Sequence, residues 1–439
     1  MSKLFWKQIL PIEASKTFLK QHDFIKNVSK LFLGNVSAQA LALTTAPLIT
    51  RLYNPEDFGI MALITSVVSV FSIMACLRFE RAIMLPKEES DAENLLFLCL
   101  ISTCLISMFS TLAILLFGDG IAKLLGAPAI RPWLWFVPPG IFLYGIQESF
   151  TFWFSRKKQF GMISIRQFTA SFWTVLTKII AGFAGGTSAL WLIIGNTNGF
   201  LSASSVLTWK YFREGNWQLP PGISMNKMLA MAAKYKEFPI YSSWTGLINA
   251  FSQNILIFLL SHYFSPLSVG CFALANNMLR RPLDAISQSV SKVLLEKTAR
   301  SHAIGEPLDR TFIKSTLGLA SLGFGPLTVL FIFGPQIFSF VFGERWLAAG
   351  NYARILSPWL FFAFISPPAN QIITVFRRLR FNLIFHIVIM VARVAAFVFG
   401  MKFFGGPYYP MAFFSGTSVL FTMFYLWYAF KLSTQPCSA

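Results

Sequence analysis

Twelve mostly apolar stretches, each about as long as a membrane-crossing helix, constrain this chain more than any other feature, because spanning the hydrocarbon core takes about 20 such residues. They fall at roughly 31–50, 59–79, 94–117, 133–154, 163–185, 187–209, 239–261, 268–292, 315–342, 351–375, 382–404 and 408–430. A soluble core cannot absorb them. The 439 residues include 48 Phe, 12 Trp and 11 Tyr but only 18 Asp plus Glu, and the charged share of 13% is about half that of an ordinary soluble protein. The expected fold class is an all-α polytopic membrane protein. Prolines inside the segments, such as Pro47, Pro138, Pro282, Pro326 and Pro358, are tolerated where membrane helices pack on neighbours or line a cavity. They fit either ordinary kinks or the broken helices of a transporter.

The 37 Lys and Arg residues set the topology, since cytoplasmic loops hold the excess. With twelve spans, 26 of them fall on one side and five (Arg51, Lys123, Arg131, Arg345, Lys402) on the other. Both termini are therefore expected in the cytoplasm. The basic N-terminal segment lacks the apolar run and small-residue cleavage site of a signal peptide, and fits an amphipathic helix on an anionic membrane surface or a basic tail. The expected organisation is a cytoplasmic segment 1–30, a six-helix lobe 31–209, a cytoplasmic linker 210–238, a second lobe 239–430 and a tail 431–439.

The halves repeat. NPEDFGIMAL from Asn54 returns as SPLSVGCFAL from Ser265, matching Pro55 to Pro266, Gly59 to Gly270, Ala62 to Ala273 and Leu63 to Leu274 at an offset of 211. Six spans per half is an even number, so the repeat is of the parallel kind, related by an axis along the membrane normal.

Six cations remain inside the spans: Arg166, Lys178, Arg280, Arg281, Arg354 and Arg393, accompanied by Glu148, Asp284 and His386. Facing lipid, they would cost on the order of 15 to 20 kcal/mol together, so most must face the bundle interior. Arg166 and Arg354 lie near helix ends and can snorkel. Arg393 sits at mid-span with His386 seven residues earlier, on the same helical face. Such an interior suits an anion, above all phosphate or pyrophosphate, because guanidinium donors match its oxygens. Glu148 and Asp284 either titrate, coupling transport to protons or sodium, or pair with arginines, which is the commoner fate. His386 is a coupling group or a packing histidine.

Several chemistries lack any signal. There is no phosphate-binding GxxxxGK[ST] loop, no HExxH or GxSxG motif and no closely spaced His/Cys ligand set among the five cysteines. No cofactor and no nucleic-acid partner is expected, and the short outer loops leave no room for an external catalytic domain.

RLYNPEDFGIMAL from Arg51, LRFERAIMLPKEESDAENLL from Leu77, KEFPIYSSWTGLINAFSQNI from Lys236, SVGCFALANNMLRRPL from Ser268 and FGERWLAAGNYARILSP from Phe342 resemble, in this order, stretches of the polysaccharide-transporter, Wzx-type O-antigen flippase family of the multidrug/oligosaccharidyl-lipid/polysaccharide exporter superfamily. The resemblance implies two six-helix lobes around a central cavity, alternating access, residence in the bacterial cytoplasmic (inner) membrane and a role in surface polysaccharide or lipopolysaccharide biosynthesis. The implied cargo is an undecaprenyl-pyrophosphate-linked oligosaccharide, with membrane lipids and the polysaccharide polymerase and ligase as neighbours. It marks Arg78, Phe79 and Glu80 as the family's Arg-aromatic-Glu stretch, with Phe where Tyr is commoner. Arg393, Arg280, Arg281, Lys178 and Arg78 are the expected cationic cargo site. Two other readings remain: a multidrug or cation antiporter on the same fold, disfavoured by the positive interior, and a membrane polymerase or ligase, for which a long outer loop would be expected.

Overall fold

The computed structural model describes residues 34–215, 222–303, 307–376 and 378–435; the N-terminal segment 1–30, part of the linker and Cys437 lie outside them. The described residues are almost entirely helical, without a strand. Twelve long helices follow the twelve apolar segments: α1 (34–52), α2 (Pro55–Phe71), α3 (Glu89–Leu124), α4 (Val137–Arg156), α5 (Phe160–Phe183), α6 (Ala189–Glu214), α7 (Ser243–Tyr263), α8 (Pro266–Ala303), α9 (Asp309–Phe342), α10 (Leu347–Ile365), α11 (Leu379–Phe404) and α12 (Tyr408–Ser433). Six segments, those carrying α2, α3, α7, α9, α11 and α12, are long and apolar enough to cross a membrane on length and composition alone. Their apolar exposed faces, for example Leu105, Met108, Phe109, Leu112 and Leu116 on α3, are what lipid would cover. The remaining long helices are more polar, and α4, α5, α8 and α10 carry Glu148, Arg166, Lys178, Arg280, Arg281, Asp284 and Arg354.

Several helices run past the predicted ends. Hydropathy marks the thickness of the hydrocarbon, whereas backbone hydrogen bonding continues beyond it, into exposed polar residues at the Glu89 end of α3 and on to Ala303 in α8. The second helix departs most from expectation. It begins four residues early, at Pro55, whose ring suits the first helical position. After a short 3-10 extension, Ser72–Met74, it breaks at Leu77 and Arg78, which take left-handed φ angles of 49° and 63°. Such angles are uncommon for residues with a side chain and persist only where the surroundings impose them. α10 also breaks, at Ser366 before Pro367, and resumes as Pro367–Val375, since Pro367 and Pro368 have no backbone N–H with which to continue the helical ladder.

The three largest buried cores among the described residues hold the bundle. One joins α2 to α6 through Leu63, Leu95, Ile141, Phe154 and Leu207. A second joins α7, α8, α9, α10 and α12 through Leu260, Phe272, Phe338, Leu356 and Phe414, and takes in Ala46 and Ala62 from the first half. The third ties α9, α11 and α12 to the Pro367–Val375 helix through Phe312, Ile373, Phe385 and Tyr425.

The halves meet at the end that the cation distribution assigns to the outside. There the repeated motif packs on itself: an added Cβ at Gly59 would collide with the Pro266 carbonyl, and one at Gly270 with the Pro55 carbonyl. Around this crossing the Trp346 indole donates to the Thr50 carbonyl (2.9 Å) and Arg345 to the Asn54 side chain (2.8 Å). On the other side the Ser261 hydroxyl donates to the Leu125 carbonyl (2.7 Å), and His262 Nδ1 lies 3.0 Å from the Leu124 carbonyl. Thr50 and Ser261 stand at the same offset of 211 as Pro55 and Pro266, so matched positions of both halves bond across this end, Thr50 as acceptor and Ser261 as donor.

Candidate functional site, a cationic cleft

Toward the inner end the halves separate. α8 is buried without interruption from Ser268 to Ala275, then opens at Asn276, and Arg281 and Asp284 are exposed. Helix α5 brings Lys178 to the same region. Its stem lies against Gly195 of α6, where a Cβ would come 2.7 Å from Lys178 Cγ, so glycine is what leaves room for it. The ammonium donates to Asn196 Oδ1 (2.8 Å) and approaches the Met61 sulfur (3.5 Å), and Asn196 in turn donates to Thr65 Oγ1 (3.1 Å). The Tyr53 hydroxyl fixes the same turn of α5 by donating to the Lys178 carbonyl (2.8 Å).

Lys178 is buried, and among the described residues it meets no carboxylate. The charge it interacts with is Arg281 of the other half, which likewise has no acidic partner there. Two unneutralised cations from opposite halves, held within electrostatic range, repel unless an anion comes between them. This is the strongest feature of the cleft.

The other predicted cations divide by role. Arg280 pairs with Asp284 one turn along α8, at 3.3 Å. Arg393 lies within the second half, in electrostatic range of Arg280; its Nε donates to Ser418 Oγ (2.7 Å) and its guanidinium sits over the Trp359 and Phe414 rings at 5.1 and 5.5 Å. His386 is exposed beside Tyr425, ring centroids 6.3 Å apart. Arg354 donates to the Ile332 carbonyl of α9 (2.8 Å), tying α10 to α9.

Arg78 is placed apart from Lys178, at the break after α2. It pairs with Glu80 (3.5 Å), and its guanidinium lies where a side chain on Gly246 of α7 would be. Arg166 pairs loosely with Glu148 (3.8 Å), and these groups and Tyr144 form one electrostatic cluster inside the first half. Burial pushes the Glu80 carboxyl above the usual carboxylate range, although Arg78 pulls the other way. Arg78 Nε, Glu80 Oε2 and Arg166 Nε are buried and have no hydrogen-bond partner among the described residues.

Sequence reasoning singled out the charges and missed the neutral groups that hold them: Asn196, Thr65, Gly195 and Ser418. The available signal was polarity within spans, as in the GNTNG run from Gly195. Among the described residues no cluster of His, Cys, Asp and Glu could hold a metal, and Cys76, Cys99, Cys104 and Cys271 are free thiols.

Comparison with solved structures places the fold. The chain is similar to the lipid II flippase MurJ in an inward closed conformation, with a TM-score of 0.68 at 15% identity over 93% of this chain and 87% of that one. It is also similar to an inward-facing multidrug resistance MATE family transporter of the MOP superfamily (TM-score 0.57, 11% identity, 91% and 93% covered). A third similar structure is the Vibrio cholerae MATE transporter VcmN in the bent form (0.51, 14%, 96% and 98%). No curated protein matches the sequence. At these identities the likeness establishes a shared fold. The family is fixed by sequence: residues 48–351 match the model described as polysaccharide biosynthesis protein, and the chain belongs to that family.

Proposed function

We propose that the protein is a flippase that moves a polyprenyl-pyrophosphate-linked oligosaccharide, an O-antigen or other surface polysaccharide repeat unit, across the bacterial cytoplasmic membrane by alternating access. The observation that carries this reading is the pair Lys178 and Arg281, one cation from each half, without carboxylate partners. A pyrophosphate between them would neutralise both charges in a low-dielectric setting where such pairing is strong. Arg280 and Arg393 add a second positive region in the other half.

Membership in a polysaccharide biosynthesis family supports a saccharide cargo, and the fold shared with a lipid II flippase supports a lipid-linked one. In this reading 31–209 and 239–430 are the two moving lobes, the polyprenyl tail stays in lipid, and no covalent chemistry is required. Direction comes from cargo supply and removal or from an ion gradient acting through Glu148, Asp284 or His386. The polymerase and ligase that consume the repeat units are the natural neighbours. A cation antiporter on the same fold is disfavoured, because two unpaired cations within electrostatic range of each other repel a cationic drug.

The test is deletion in the native host. Lipid-linked repeat units should accumulate on the inner leaflet and return to normal when the chain is restored, but not when Arg281→Gln is supplied; unchanged leaflet distribution on deletion refutes the proposal.

A further inference from the structure

Helices α2 and α7 run antiparallel, one from each half, and their contact is interrupted in the middle. At the inner end Gly246 of α7 meets Arg78 and Ile73: an added Cβ would lie 2.9 Å from Ile73 Cγ2. At the outer end Leu256 and Leu260 of α7 share a buried core with Ala62 of α2. Positions 246, 249, 253, 256 and 260 follow the three-and-four spacing of a single helical seam, so Asn249 and Gln253 point the same way as the residues that touch the first half. Both are nevertheless exposed. The matching seam of α2 behaves alike. Residues 62 to 70 are buried except Thr65 and Ser69, one turn apart. The antiparallel register sets Ser69 level with Asn249 and Thr65 level with Gln253.

The seam therefore opens, between two points of contact, into a window lined by two carboxamides and two hydroxyls. The Thr65 hydroxyl donates to the Met61 carbonyl (2.7 Å) and is spent as a donor; the other three keep unused groups. Gln253 donates to Asn249 at 3.4 Å, and among the described residues the Asn249 amino group, the Gln253 carbonyl and the Ser69 hydroxyl have no other hydrogen bond. The window also adjoins the cationic site, because Thr65 accepts from Asn196, which holds Lys178.

We infer that Thr65, Ser69, Asn249 and Gln253 form a neutral subsite that reads the hydroxyls of a carbohydrate carried beside the phosphates. A carboxamide offers a donor and an acceptor side by side, which matches two neighbouring hydroxyls. A neutral lining also avoids the cost of burying a further charge. The inference rests on the cargo reading given above and adds to it which residues meet the sugar.

The test measures binding to the detergent-solubilised full chain by calorimetry, with two probes: a farnesyl diphosphate ester bearing one hexose, and farnesyl diphosphate itself. Native protein should bind both, the hexose ester more tightly. Two neutral hydrogen bonds lost together should make Asn249→Leu/Gln253→Leu bind the hexose ester about 25-fold more weakly, with the sugar-free probe unchanged. Lys178→Gln should weaken both. Equal weakening of both probes by the double variant, or no weakening of the hexose ester, overturns the subsite while the cargo reading stands. Failure of native protein to bind either probe refutes the cargo reading and the subsite with it.

Discussion

Gly59 and Gly270 pack backbone to backbone at the outer crossing of α2 and α8, each where a side chain would strike the other helix: a Cβ on Gly59 would fall 3.1 Å from the Gly270 nitrogen, and one on Gly270 2.8 Å from the Gly59 nitrogen. They are the matched glycines of the internal repeat, so the sequence repetition and the pseudo-two-fold contact are one feature. Backbone cannot yield as a flexible side chain can. Gly59→Leu should therefore burden the closed outer end by about 1–3 kcal/mol and shift the population outward-open. In a single-cysteine background, a cysteine placed at the buried Ala62 position should label faster with a membrane-impermeant maleimide applied from outside; unchanged labelling would show that this crossing is no barrier.

The same assay weighs the flanking contacts. Trp346→Phe removes the bond to the Thr50 carbonyl, and Ser261→Ala removes its counterpart to the Leu125 carbonyl. Each is worth about 1 kcal/mol, and as separate sites they should add. Outside labelling should rise about fivefold for each variant and by the product for both.

Lys178 should oppose stability while serving transport. Burying a cation without a carboxylate partner is costly, and its bonds to Asn196 and Met61 only partly replace water. Lys178→Met should raise stability by about 1–3 kcal/mol and abolish export. Thermal unfolding in detergent and surface polysaccharide staining measure the two effects. A variant that unfolds earlier would mean the ammonium is structural.

Glu80 gives a pH signature. Because burial raises its pKa in the folded state, the folded protein holds this proton more tightly than the unfolded chain. The associated stability is full below the ordinary carboxylate pKa and lost as pH rises through the folded value. Glu80→Gln should thus unfold at a higher temperature than native protein near pH 8, with the gap closing toward about pH 4. A gap that widens in acid would contradict the burial argument.

Much of this architecture is legible in the sequence for a physical reason: lipid demands apolar length, so hydropathy counts the helices, and the NPEDFG and SPLSVG pair marks the crossing. The break at Leu77 and Arg78 is not legible, because no glycine or proline announces it; in the fold Arg78 lies there against Gly246 of α7. Of the predicted cations, Lys178 feels the charge of Arg281 and Arg393 that of Arg280, while Arg78 and Arg166 are drawn to Glu80 and Glu148. Burial alone cannot separate these fates from sequence, since every such cation must leave the lipid. Asn249 and Gln253 escaped notice because an uncharged amide inside a span costs little and stands out little.

The central claim is that the cation pair in the cleft carries a pyrophosphate-linked cargo across the bilayer. Its most direct measurement is reconstitution of the full chain into liposomes with a fluorescent polyprenyl-pyrophosphate oligosaccharide, followed by quenching of outward-facing label over time. Native protein should equilibrate the lipid between leaflets, and Lys178→Gln or Arg281→Gln should slow this roughly 10- to 100-fold, the weight of one charge-assisted hydrogen-bonded contact. Translocation no faster than in empty liposomes, or undiminished in both variants, would contradict the account.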